Sequence, residues 1–170
     1  MNSIWHRALV LGALIMVLAA VNFTIWQRES VLRDGQKLLL ELAPVDPRSL
    51  MQGDYMALRF AVGQKIPRDE KQGKAGDGYV VVTRDERGIG VFARVYRTGE
   101  PLAADEARIR YRVRKNDVRI VTNAYFFQEG QGEQYTKARF GELRLTGDGE
   151  ALLVGMNDKD LKPIGNRENR

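Results

Sequence analysis

Cysteine is missing from all 170 residues, and histidine occurs once, as His6. The first absence excludes disulfides, zinc ribbons and thiol chemistry; the second excludes His-based triads and His-rich metal sites. Neither assigns a compartment, because chains without cysteine occur on both sides of membranes. No phosphate-cradling loop is present either: Gly88-Ile89-Gly90 lacks the remaining glycine of the fingerprint and a following helix. These absences leave no expected cofactor and no expected metal. Charge of one sign is only mildly in excess, at +5 with a pI near 9.6. Arg7 is the one Lys, Arg, Asp or Glu in the first 27 residues, so the rest keeps 26 basic against 22 acidic side chains, a net of +4. That is too little for a nucleic-acid binder of this size, yet it suits a domain working beside anionic headgroups.

What is present begins with an uncharged stretch of nineteen residues, Ala8 to Trp26, whose strongly hydrogen-bonding side chains are Asn22, Thr24 and the terminal indole. As a helix rising about 1.5 Å per residue it covers about 28 Å, close to the hydrocarbon thickness of a bilayer. Ten of these residues are Leu, Ile, Val or Phe; at about −0.3 to −0.6 kcal/mol each they favour insertion by roughly 3 to 6 kcal/mol before polar costs. Trp5 and Trp26 bracket the span where amphipathic rings prefer the headgroup layer. The competing reading is a cleaved signal peptide with Arg7 as its charged region and Ala19-Ala20 as a poor cleavage site. The apolar run continues past those alanines through Val21, Phe23 and Ile25, which favours a retained helix. Arg28, Arg33 and Lys37 follow the span while only Arg7 and the amino terminus precede it, so a simple count places the C-terminal side in the cytoplasm. Long C-terminal domains translocate largely regardless of such counts, and the signal-anchor arrangement with an extracytoplasmic domain is the expectation. Asn22-Phe23-Thr24 spells a glycosylation sequon, but inside the span it is unreachable.

The expected organisation is an anchor over 1–27, a linker over 28–36, a β domain over 37–156 and a polar tail over 157–170. The helix should continue to about Asp34 and break at Gly35. Lys37–Ala43 then reads as a strand, and Tyr55–Val62 as another with Met56, Leu58, Phe60 and Val62 on one face. Three hairpins follow: Tyr79–Thr83 with Ile89–Tyr96, Ala107–Arg114 with Val118–Asn123, and Leu143–Thr146 with Ala151–Met156 across Gly147-Asp148-Gly149. Gln64–Gly78 reads as an exposed loop, Gln131–Arg139 as a short helix, and the residues after Asn157 as loosely ordered. The prediction is a mainly β fold: a curled antiparallel sheet, barrel or sandwich of about eight strands with one short helix.

The densest run of unusual residues is Pro44 to Tyr55. Pro44 and Pro47 restrict φ, Asp46 before Pro47 is pushed extended, and Gly53 suits a chain reversal that Asp54 can cap before Tyr55 opens a strand. Asp46, Arg48, Gly53, Asp54 and Tyr55 are therefore the candidate motif loop. Gly53-Asp54-Tyr55-Met56-Ala57-Leu58-Arg59-Phe60 resembles the motif naming the GDYXXLXY family of bacterial membrane-anchored proteins, with Phe60 where the motif ends in Tyr. Tyr125 to Gly130, Arg139-Phe140-Gly141-Glu142 and the Gly149–Met156 segment also resemble that family. The resemblance implies an inner-membrane protein with a periplasmic domain, set beside a multi-span membrane protein, and offers no catalytic or ligand-binding residues to carry over.

Two enzyme readings remain to be weighed. A signal-peptidase-like protease also opens a strand with Gly-Asp, but the position of its serine, eight residues before Gly53, is Val45 here, which cannot attack a carbonyl. A hydrolase or metal-dependent enzyme using Asp46 and Asp54 requires the two carboxylates to converge. The non-catalytic signal is stronger. Arg108, Arg110, Arg112 and Arg114 alternate with Ile109, Tyr111 and Val113, so on a strand four guanidinium groups share one face over about 20 Å. That face either meets an anionic partner or is neutralised by acids such as Glu142 or Glu150 on neighbouring strands. The leading expectation is a non-catalytic, membrane-anchored extracytoplasmic domain that contacts membrane lipid and binds or supports a neighbouring membrane protein.

Overall fold

A computed structural model of the chain describes residues 3–43, 51–52, 55–67, 76–114 and 117–165. The first helix, α1 (Ser3–Asp34), has apolar residues spread around its circumference rather than along one stripe. Its 29 residues from His6 to Asp34 are long and apolar enough to cross a membrane, and none of the most apolar stretch is buried against other parts of the protein. The two polar side chains of the apolar run satisfy themselves within the helix. Asn22 Nδ2 donates to the Leu18 carbonyl at 2.8 Å and Thr24 Oγ1 to the Ala20 carbonyl at 2.9 Å, the bonding that apolar surroundings demand. Gly35 closes the last turn by donating its N–H to the Val31 carbonyl at 3.0 Å.

From Gln36 onward the chain forms a separate compact unit built from antiparallel sheet. Along the chain run β1 (Gln36–Glu41), β2 (Met51–Gln52), β3 (Tyr55–Ala57), the helical turn α2 (Ala61–Gln64), β4 (Gly76–Arg84), β5 (Gly90–Val95), β6 (Glu106–Arg114) and β7 (Asp117–Ile120). There follow β8 (Ala124–Phe126), the turn α3 (Gly132–Tyr135), β9 (Phe140–Leu145), β10 (Ala151–Asn157) and β11 (Pro163–Ile164). Three sheets result, in the orders β1-β9-β10-β11, β2-β3-β8 and β5-β4-β6-β7. Single contacts stitch them into a curled half-barrel. Leu39 donates to the Gly88 carbonyl at 3.0 Å, Ala43 to Arg59 at 2.8 Å and Arg110 to Gly149 at 2.9 Å. Register shifts that leave Val154 of β10 and Ala93 of β5 as extra residues supply the bends.

Alternation decides the interior. Leu38 and Leu40 of β1, Val80 and Val82 of β4, Ile109 and Tyr111 of β6, and Leu143 and Leu145 of β9 converge with Phe60, Val62 and Ile66 in the main core. A smaller cluster joins Met56, Leu58, Tyr125, Tyr135, Ala138 and Met156.

Three segments differ from the sequence expectation. Met56, Leu58, Phe60 and Val62 are all buried as their alternation requires, yet the strand stops at Ala57 and the chain turns helical at Ala61. Gly76-Asp77-Gly78 belongs to β4 rather than to a loop, because Tyr111, Arg112 and Val113 of β6 supply partners that a local reading cannot see. Residues 157–165 are ordered by pairing of β11 with β10 and by Asp158, whose carboxylate accepts from the Asp160 and Lys162 N–H groups at 2.9 Å each. Eleven strands, several of two or three residues, thus replace about eight among the described residues.

Candidate interaction surfaces

The motif is built into the structure from its second half. Tyr55 lies opposite Phe126 and Met56 opposite Tyr125 in the β3–β8 pairing. Met56 and Leu58 fill the smaller core, while Phe60 reaches the main one. The Phe60 ring lies on Gly141, so close that a Cβ there would sit 2.8 Å from Cε1. The last motif position is therefore used as a buried ring, which explains how Phe serves where the motif has Tyr. It also ties the motif to the Arg139-Phe140-Gly141-Glu142 segment. Asp46, Arg48, Gly53 and Asp54 lie outside the described residues, as do Pro44 and Pro47.

Beside the motif, β8 sends its aromatics both ways. Tyr125 is buried against Tyr135 at 5.3 Å between ring centroids. Phe127 stacks on the same tyrosine at 5.0 Å. Phe126 points outward at 70% exposure and contacts Tyr55 at 5.8 Å. In a domain that buries most of its large apolar side chains, Phe126 is an exposed ring beside the half-buried Tyr55.

The arginine stripe occupies the outer side of β6, with Ala107, Ile109, Tyr111 and Val113 inward. Its four members do different things. Arg108 is held between aromatic faces, its guanidinium carbon 5.5 Å from the Tyr79 ring centroid and 5.6 Å from that of Tyr96. Arg110 is clamped between Glu150 and Asp77, the latter at 2.5 Å. These two carboxylates raise its pKa, Glu150 first. Arg112 and Arg114 approach the same Asp77 only at 3.9 Å each. The hydrogen bond from Arg110 and then the attraction of Arg110, Arg112 and Arg114 hold the Asp77 carboxyl below its usual range against the opposing effect of burial. Glu150 thus neutralises part of the stripe, whereas Glu142 sits in β9 opposite Leu39, nearly fully buried, and pairs with Lys37 at 3.3 Å.

Sequence reading did not single out Arg119 or Asp77, and it reached Phe126 only within the family-like run Tyr125 to Gly130. Arg119 of β7 lies directly opposite Arg112 and is exposed; the alternation Val118, Ile120 against Asp117, Arg119 was the available signal. Asp77 was hidden by the apparent loop. Trp26 is exposed on α1 and contacts Phe23 at 6.1 Å, and the backbone of Trp5 lies in the same helix. Among the described residues no three His, Asp or Glu side chains are grouped to hold a metal.

The model of the GDYXXLXY family matches residues 17–156. No curated protein and no solved structure matches the chain significantly.

Proposed function

This chain belongs to the GDYXXLXY family, and from that premise we propose that it is a single-pass, membrane-anchored protein whose β domain lies outside the cytoplasm and binds or supports a neighbouring membrane protein without catalysis. The helix from His6 to Asp34 supports the anchor by length and composition. The family match beginning at residue 17, within that helix, supports its retention alongside the domain. The observation that carries the binding role is the outward Phe126 beside the motif's Tyr55, because exposed aromatics next to ordered backbone are typical contact anchors in protein interfaces. The motif loop, with Asp46, Arg48, Gly53 and Asp54, flanks Tyr55 in sequence.

A photo-crosslinking residue in place of Phe126, in cells that make the full chain, tests this. The expected product is a crosslink to an integral membrane protein that weakens when Tyr55→Ala is added. Absence of any protein adduct, with the chain present in the membrane, overturns the binding role. A single cysteine at Glu133, labelled only by impermeant reagent added from outside the cytoplasm, is expected for the orientation; labelling only from the cytoplasmic side reverses it.

A further inference from the structure

Positive charge is concentrated, and poorly answered, where β6 and β7 meet. Arg112 and Arg119 are a directly opposed pair, and like charges in that relation are unfavourable. The acid nearest Arg112 and Arg114 is Asp77, at 3.9 Å from each and already engaged by Arg110 at 2.5 Å. Asp117 lies opposite Arg114, but among the described residues neither it nor Arg119 enters an ion pair within 4 Å. The contrast with the other half of the stripe is informative, because Arg108 is flanked by rings and Arg110 is paired with carboxylates of the domain itself. Three exposed guanidinium forks on two adjacent strands form an open surface, and their planar donors match the oxygens of phosphate.

We propose that Arg112, Arg114 and Arg119 form a phosphate-recognising surface that seats the β domain on anionic phospholipid headgroups, an inference that rests on the membrane-tethered reading above. Lipid is favoured over an acidic protein segment by the shortness of the tether. The uncharged run ends at Trp26 and β1 begins at Gln36, so about 12 Å of helix and one further residue connect the lipid boundary to the domain, and a domain on so short a connection has the headgroups within its reach. At the headgroups, basic side chains meet a negative surface potential. The surface is also open and spread along strands rather than a cleft, as a plane of headgroups requires.

The native chain has no cysteine, so Asp117→Cys gives a single labelling site beside the cluster. The full chain carrying a fluorophore there is reconstituted in nanodiscs with a trace of headgroup-quencher lipid, either in phosphatidylcholine alone or with one-third phosphatidylglycerol. Quenching is expected to be several-fold stronger in the anionic discs and to fade toward about 1 M salt, where the Debye length is only about 3 Å. The combined Arg112→Gln, Arg114→Gln and Arg119→Gln variant is expected to lose that lipid dependence. Arg119→Gln alone, which breaks no intramolecular ion pair among the described residues, is expected to lose part of it and keeps the test open if the triple variant misfolds. Equal quenching in the two lipids overturns the proposal, as does anionic dependence that survives the variants. Loss of the Phe126 crosslink in the variants, with equal quenching, assigns the arginines to a protein partner instead. If the chain fails to co-elute with the discs, the tethered reading fails and takes this one with it.

Discussion

At the residue scale, the contact between Phe60 and Gly141 carries the most information about why the motif is spelled as it is. Any side chain at 141 must push into the Phe60 ring and toward Leu153, whose Cδ1 would lie 3.1 Å from the new Cβ. Overpacking of that kind costs about 1–3 kcal/mol. Gly141→Ala is therefore expected to destabilise the β domain by that amount, read as a lower urea midpoint in the full chain followed by circular dichroism. In a Phe60→Leu background the ring is gone, and the same alanine should cost less; the double-mutant cycle measures the coupling directly. Additive effects in the cycle would mean that the two residues do not share a packing site. The alternation of Met56, Leu58, Phe60 and Val62 announced in the sequence that Phe60 faces inward. Its partner was not legible, because residues 60 and 141 are brought together only by the Leu42–Phe60 bridge and the β1–β9 pairing.

At the scale of elements, Asp77 links β4 to three arginines of β6, and Glu106 performs a similar service for Arg94 of β5. Hydrogen bonds from Arg110 and from Arg94, respectively, hold the two carboxyls below their ordinary values of 3.8 and 4.5. A carboxyl with a lowered folded-state pKa binds fewer protons folded than unfolded. Its stabilisation is accordingly complete above the unfolded value and disappears as pH falls through the folded one. The β domain should thus lose stability on acidification from about pH 5 downward. Asp77→Asn should be less stable than the wild type near neutrality, and the two thermal-melting curves should approach each other as pH falls through the lowered folded-state value of Asp77. A constant difference between them across that range would refute the linkage. The same elements mark the limit of sequence reading. Hairpins closed by short local turns, β4–β5, β6–β7 and β9–β10, were legible because both strands and their turn lie in one window. β2, β8 and β11 were not, since segments of two or three residues carry too little alternation and owe their pairing to distant chain. The Gly76–Gly78 start of β4 was lost for the same reason: two glycines and an aspartate resemble a loop until β6 is alongside. The stripe was legible as geometry, but its division into a half held by rings and close carboxylates and a more open half depended on Tyr79, Tyr96, Asp77 and Glu150, which only the fold assembles.

At the scale of the whole molecule, the proposed role depends on the helix remaining in lipid, and its composition sets how much perturbation it tolerates. The ten Leu, Ile, Val and Phe residues between Ala8 and Trp26 favour insertion by roughly 3 to 6 kcal/mol. Asn22 and Thr24 subtract little, because each bonds a carbonyl one turn back. Leu14 and Val17 lie near the middle of the stretch, where an aspartate costs about 2.5 to 3.5 kcal/mol. Leu14→Asp with Val17→Asp together therefore cost about 5 to 7 kcal/mol and also forfeit two favourable residues, enough to cancel the gain. The unmodified chain is expected to stay with the membrane pellet through alkaline carbonate extraction, and the double variant to appear in the supernatant with its β domain still folded by circular dichroism. A replacement of Asn22 by Leu serves as the opposite control and should leave the pellet fraction unchanged. Release of the unmodified chain by carbonate would mean that the apolar helix is not held in the bilayer, and the Phe126 face and the Arg112, Arg114 and Arg119 cluster would then have to find their partners in solution.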